Sequence, residues 1–270
     1  MNAWWERFFD AEMGEVMFPE EAWRRAEELC DPLVELLGVE PGARILDLAC
    51  GPGRFALPLA RRGFRVVGLD LSSVYLKQGR AQAEEQGLSV EFIQGDMRAI
   101  PFEEEFDAVV NLFTSFGYFE REEDHLKVLQ EVRKSLKPGG RFLLEMANRD
   151  GTVRRFQAHD WHEFPDFLAL EERRFIPERD RIETRWVKIY PDGRRKEYLS
   201  SLRLFTLREL TELCSRAGLK VLGHYGNLQG EPWGLDGNRW VIVAESTGSP
   251  RRGGVGQPSS TDDPPVTLLR

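Results

Sequence analysis

The sequence predicts an α/β protein: a doubly wound, mostly parallel sheet of seven strands with a small antiparallel β insertion. Three observations predict it. From about residue 44 to residue 148 short apolar runs alternate with amphipathic helical stretches, the pattern of a parallel sheet with crossover helices. From 151 to 205 the pattern changes to extended runs joined by short turns. Beyond 205 one helix and two further strands follow, and these bring the sheet to seven.

Taken in order, the first element is a helical stretch over 20–37, preceded by Trp4, Trp5, Phe8 and Phe9. Four large aromatics in six residues need a surface to cover, and residues 1–40 are read as a helical lid. Strands are expected at 44–49, 65–70, 90–94, 106–113 and 141–147, with helices at 55–62, 73–86 and 122–136. The last helix is expected to stop at Lys137, Pro138, Gly139 and Gly140. In the insertion three strands are expected, at 168–175, 181–190 and 195–205, turning at 177–180 and 191–193. Thr206 then caps a helix at 207–217, Gly218 ends it, and strands follow at 219–225 and 239–245. Residues 1–247 thus form one domain. The segment 248–270 is rich in Ser, Pro, Gly and Asp and is expected to be a disordered tail.

Composition excludes several classes. The 270 residues are 41% hydrophobic and 30% charged, the balance of a globular protein that buries its own core, and no membrane span is expected. The first residues carry early acids and no basic start, so no signal peptide is read and a cytoplasmic location is expected. Cys30, Cys50 and Cys214 are odd in number and form no CxxC pair, which argues against a disulfide framework or a zinc site. A net charge of −8 disfavours a protein that tracks nucleic acid phosphates.

The chemistry is concentrated in Ile45-Leu-Asp-Leu-Ala-Cys-Gly-Pro-Gly-Arg54, a strand entering a Gly-x-Gly turn before a helix. Gly51 and Gly53 allow close backbone approach to a ligand at the carboxyl end of the first strand. A dinucleotide-binding loop is the rival reading, although position 56 is alanine where that fingerprint has its third glycine. Asp47 lies in the first strand, Asp70 ends the second, Asp96 follows the third and Asn111 comes late in the fourth, all toward one edge of the sheet. Asp70 could instead cap a helix, for which Ser72 is better placed, and Asp96 could be a turn residue.

With these residues the sequence resembles the class I S-adenosylmethionine-dependent methyltransferases, in ILDLACGPGR (45–54), VVGLDLS (66–72), GDM (95–97), FDAVVNLF (106–113) and LKPGGRFLLE (136–145). The resemblance implies S-adenosylmethionine as cofactor. It implies that Ala49, Gly51 and Gly53 line the methionyl part, with Asp47 ordering the loop. Asp70, with Leu71 beside it, would take the ribose, Asp96 and Met97 the adenine, and Asn111 would border the transferable methyl. Acidic residues suit a ligand whose sulfonium and α-amino groups are cationic.

The implied activity is methyl transfer to a small-molecule acceptor. Asn111-Leu-Phe-Thr-Ser-Phe-Gly-Tyr-Phe119 is similar to a segment of small-molecule N-methyltransferases, including those acting on amino sugars, where Ser-x-Gly faces the acceptor. O- or C-methylation of a quinone or other aromatic metabolite is the alternative, and a non-catalytic, S-adenosylmethionine-binding regulatory module is a second. Asn111-Leu-Phe-Thr114 lacks the prolines of the enzymes that methylate DNA adenine, and no metal is expected. Tyr118 and His162 are the candidates for a general base, ahead of His159 and His224. The insertion is expected to wall the acceptor site and to offer a homodimer surface.

Overall fold

The protein is described by a computed structural model covering residues 3–247; the tail expected at 248–270 lies outside the described residues. A seven-stranded sheet has the order β10-β11-β5-β4-β1-β2-β3. Its strands are β1 (Arg44–Leu48), β2 (Arg65–Asp70), β3 (Val90–Gln94), β4 (Phe106–Asn111), β5 (Leu136–Ala147), β10 (Leu219–Tyr225) and β11 (Arg239–Ser246). The pairs β1–β2, β2–β3, β1–β4 and β4–β5 are parallel, whereas β11 runs antiparallel to both β5 and β10. This is the class I methyltransferase fold. The strand order reverses direction at β1, so the carboxyl ends of β1 and β4 flank the crevice where such sheets take ligands.

Both faces of the sheet are covered, which is why β1 and β2 are buried along almost their whole length. Leu46, Leu48, Val109 and Phe142 pack under α6 (Glu122–Ser135) and α8 (Leu207–Arg216); Ile45, Val66, Ala108 and Val110 face α3 (Glu20–Leu37) and α4 (Ala56–Arg61). The buried positions of α3, Ala26, Leu29, Cys30, Leu33 and Leu37, recur at helical spacing, and the helix stops at left-handed Gly38. A capping box between Thr206 and Glu209 starts α8. Ser72 accepts from the Tyr75 N–H and starts α5 (Ser73–Glu85).

Three expectations are corrected. The fourth strand ends at Asn111 rather than 113, because Phe113 and Thr114 take left-handed backbone angles that turn the chain out of the sheet. Residues 137–140 do not end a helix. Leu136 already pairs with Phe106, and the next pair is Ala108 with Arg141, so Lys137–Gly140 bulge out within β5, where Lys137 reaches Asp107 at 2.6 Å. The insertion holds four strands, ordered β6-β7-β8-β9, with β6 (His159–Phe164) at an edge beside β7 (Phe167–Ile176), β8 (Arg181–Ile189) and β9 (Arg195–Arg203). A short helix, α7 (Arg149–Arg154), leads into it.

The N-terminal segment, expected to be helical, forms two short helices, α1 (Trp5–Phe8) and α2 (Ala11–Met17). They lie between the two sheets. Asp10 caps α2 by accepting from the Met13 N–H, and its carboxylate also receives Lys196 Nζ at 2.8 Å and Tyr198 Oη at 3.0 Å from β9. Tyr190 donates to Glu12 at 2.8 Å and Lys188 pairs with Glu15. Phe8 and Met13 are buried with Tyr198, and Trp186 packs against them.

Candidate functional site

A cavity of about 350 Å³ opens at the carboxyl ends of β1 to β4. The turn after β1 forms its floor. Ala49 and Gly51 both have positive φ there, 59° and 57°, and a Cβ at Gly51 would come within 2.9 Å of the Phe18 ring. Only a residue without a side chain fits under that ring in that conformation. The strained Ala49 is held in place by its N–H, which donates to the Leu69 carbonyl at 2.7 Å.

Three carboxylates line this space: Asp47, Asp70 and Asp96. Asp47 is 3% exposed; it accepts from the Ala56 N–H, and its Oδ2 has no partner among the described residues. Burial, reinforced by the Asp70 charge, pushes its pKa up to about 7. Asp70 accepts from the Gly51 N–H and from the Ser72 N–H, each at 2.8 Å, so it knits the β1 and β2 turns together. Burial raises its pKa against the pull of those bonds. Asp96 is half-buried. Burial works against its charge, but Arg98 Nη2 at 2.7 Å and the Arg98 N–H hold its pKa below the usual carboxylate value.

The far wall is aromatic. Trp5 and Phe9 come from the N-terminal segment, Tyr118 and Phe119 from the loop after β4, and Phe113 from its left-handed turn. That turn is built on buried Glu145: its Oε2 accepts from the Phe113 N–H at 2.8 Å, its carbonyl from the Thr114 N–H, and its carboxylate receives Arg239 through two contacts of 2.6 and 2.8 Å. Ser72 Oγ donates to the Phe9 carbonyl at 2.8 Å, tying the N-terminal roof to the loop that follows Asp70.

The residues singled out from sequence divide between cavity and scaffold. Asp47, Ala49, Gly51, Asp70, Leu71, Asp96, Met97 and Tyr118 line the cavity. Gly53 and Asn111 do not: Gly53 has φ +86° and lets Phe92 pack close beneath the turn, and buried Asn111 donates to the Leu48 carbonyl at 2.7 Å, fixing the end of β1 against β4. His162 lies in the four-stranded sheet, where Nε2 contacts Glu171 at 2.9 Å, and His159 and His224 are also outside the cavity. Of the Ser-x-Gly run, Ser115 lines the cavity, whereas Gly117 lets the chain pass the Arg203 carbonyl, which an added Cβ would approach to 2.6 Å. None of the lining residues comes from 151–205, so the insertion walls the site only through the N-terminal segment it holds.

Sequence reasoning missed Arg54, Arg239 and Glu145. Arg54 stood within the motif itself, and its charge in a run of apolar and glycine residues was the available signal. Glu145 carried one too, as the acid within the buried run 142–146 of β5.

Comparison with known proteins agrees with this fold. A family model described as a methyltransferase domain matches residues 45–140. The demethylmenaquinone methyltransferase of Thermus thermophilus is 40% identical over 125 residues, 45% of this chain and 52% of that protein. The chain spans about half the length of the curated relatives it matches. Among solved structures, an S-adenosylmethionine-dependent methyltransferase from Clostridium acetobutylicum is similar with a TM-score of 0.75 at 17% identity, over 87% of this chain and 96% of that one. CalS10, an amino pentose methyltransferase from Micromonospora echinaspora solved with S-adenosylmethionine bound, has a TM-score of 0.65 at 24% identity, again over 87% and 96%. Both structural likenesses are of fold.

Proposed function

We propose, for a chain whose residues 45–140 form a methyltransferase domain inside the class I methyltransferase fold, that it transfers a methyl group from S-adenosylmethionine to a small molecule. The observation that carries the reading is the series Asp47, Asp70 and Asp96, set on successive strand ends around one cavity, with a buried Asp47 oxygen left unpartnered. An acid-lined cavity fits a cationic cofactor and repels the phosphates of a nicotinamide dinucleotide. Asp47, Ala49 and Gly51 would hold the methionyl end, Asp70 and Leu71 the ribose, and Asp96 and Met97 the adenine. Gly53 and Asn111 act at one remove, by shaping the turn. When bound, the cofactor supplies a methyl group on a sulfonium, a centre with a good leaving group.

The chain's own contribution is alignment and exclusion of water, which together can supply up to about 7 to 11 kcal/mol of a displacement barrier. A protein base finds little support. No histidine lines the cavity among the described residues, and burial raises the Tyr118 phenol well above its ordinary value, leaving it a neutral hydrogen-bonding group. An acceptor amine that arrives unprotonated needs no such base. It also gains positive charge as it reacts, and the rings of Trp5, Phe9, Tyr118 and Phe119 favour that charge. We therefore favour N-methylation, the chemistry named for CalS10 being amino pentose methylation. Oxygen or carbon methylation of a flat quinone-like or other aromatic acceptor is the second reading; the same rings would stack on it, and the Thermus relative is named for a quinone substrate.

Mass spectrometry of a metabolite extract incubated with the protein and methyl-labelled S-adenosylmethionine tests the proposal. Label on a small molecule, at nitrogen, is the expected result. Label on carbon or oxygen favours the second reading, and cofactor binding without transfer to any metabolite would leave a regulatory binding module.

A further inference from the structure

His162 stands apart from the cavity, in β6 at the edge of the four-stranded sheet. Residues two apart on a strand share a face, so Asp160 and His162 point to the same side, and the register sets Glu171 of β7 opposite Asp160 and Ala169 opposite His162. The small Ala169 leaves space beside the imidazole. His162 Nε2 lies 2.9 Å from Glu171 Oε1 and 4.0 Å from Asp160 Oδ2, and one ligand atom from each of the three residues falls within 4.8 Å of the other two. The His162 side chain is 48% exposed, which gives an ion its way in, whereas Glu171 is buried.

Each carboxylate has one oxygen held and the other turned to His162. Asp160 Oδ1 accepts from the Trp161 N–H at 2.9 Å and Arg173 takes Glu171 Oε2, which leaves Asp160 Oδ2 and Glu171 Oε1 facing the imidazole. Arg173 also reaches Asp160 Oδ2, but at 3.4 and 3.5 Å, beyond the length of a strong charge-assisted bond. Two acids against one guanidinium leave a negative charge over, next to an imidazole nitrogen. We propose that Asp160, His162 and Glu171 bind one zinc ion, through Oδ2, Nε2 and Oε1, with water in the fourth position. Zinc bonds of about 2.0 to 2.2 Å in tetrahedral geometry set ligand atoms about 3.4 Å apart, between the 2.9 and 4.0 Å seen from Nε2. An imidazole beside two carboxylates suits zinc better than the harder magnesium or calcium. The Trp161 N–H and Arg173 orient the ligating carboxylates through their outer oxygens, as the surroundings of a metal site do. The ion clips the edge strand β6 to β7. The spacing of the cysteines bears on thiolate sites alone, and Cys30, Cys50 and Cys214 are all buried.

The test is titration calorimetry of the full chain, stripped of metal by a chelator, with zinc chloride and with magnesium chloride. The wild type is expected to bind one zinc ion per chain and no magnesium. His162→Ala should weaken zinc about a hundredfold or more, since loss of an outer-shell partner alone costs about ten- to hundredfold, and Asp160→Asn should weaken it about tenfold or more. His162 and Asp160 both lie at the surface of an edge strand, so without metal the two variants should melt with the wild type, which reports that they are folded. Zinc should also slow hydrogen exchange across β6 in the wild type and leave the His162→Ala strand unchanged. No stoichiometric zinc binding by the wild type, or the same zinc affinity in wild type and both variants, would overturn the proposal. Zinc held with exchange in β6 unaltered would place the ion elsewhere and overturn it equally.

Discussion

In the proposed site Asp47 would couple protonation to ligand binding. Its folded pKa of about 7 stands above the ordinary 3.8, so its contribution to stability is full below that ordinary value and is lost as pH rises through about 7. A cationic ligand favours the ionised form. Binding of S-adenosylmethionine should therefore release protons near neutral pH, and affinity should climb with pH before levelling above about 8; calorimetry in buffers of different ionisation heat measures this. Asp47→Asn should stabilise the free protein by about 1 to 3 kcal/mol above neutral pH while weakening the ligand, a trade visible in paired melting and binding curves. Asp70 holds the two turns together and, in the proposed site, would also take the ribose. Asp70→Ala is expected to cost about 2 to 4 kcal/mol of cofactor binding, and normal binding by the variant would remove Asp70 from the site. Aspartates at strand ends were legible because a polar residue ending an apolar run is conspicuous. The roles of Asn111 and Gly53 were not, since a buried amide that ties two strands has the same sequence signature as one that meets a ligand.

At the scale of elements, β2, β3 and β10 could be bounded from sequence because apolar runs meet turn residues at both ends. The edge strand β6 could not: His-Asp-Trp-His-Glu-Phe has no alternation, and its pairing with β7 supplies what its own pattern lacks. The helices α1 and α2 are too short to persist alone and are held by contacts distant in sequence. Lys196 anchors them through Asp10 and Glu12. Burial opposes the Asp10 charge, but Lys196, the Met13 N–H and Tyr198 bring its pKa below 3.8, so this anchor is kept at neutral pH and lost only as pH falls through that lowered value. Lys196→Ala should speed hydrogen exchange across α1 and α2, because the roof loses a charged tether. Deleting residues 1–12 should reduce cofactor affinity and turnover while the seven-stranded sheet stays folded. Added S-adenosylhomocysteine should slow exchange in the same segment if it works as a lid; equal protection with and without ligand would make it a fixed part of the core.

Across the whole molecule, the parallel sheet was legible because its periodicity is local, and the way the insertion serves the site was not. The insertion was expected to wall the acceptor site. Instead Trp186, Lys188, Lys196 and Tyr198 hold the N-terminal segment, and that segment brings Trp5 and Phe9 to the cavity. The seven-stranded sheet and an N-terminal segment held by the smaller sheet thus meet at one site, and a ligand that binds there stabilises them together. At about a hundred times its dissociation constant S-adenosylhomocysteine should add about 2.7 kcal/mol to unfolding, which for a domain of this size corresponds to roughly 5 to 10 °C in melting temperature.

We propose that the acid-lined cavity at the ends of β1 to β4 selects a sulfonium-bearing adenosyl cofactor. Titration calorimetry of the full chain with S-adenosylmethionine, S-adenosylhomocysteine, NAD and NADP tests it most directly. Micromolar or tighter binding of the first two, roughly −8 kcal/mol or better, is expected, with no heat from the nicotinamide cofactors. Binding of NAD or NADP in preference to the adenosyl ligands would contradict it.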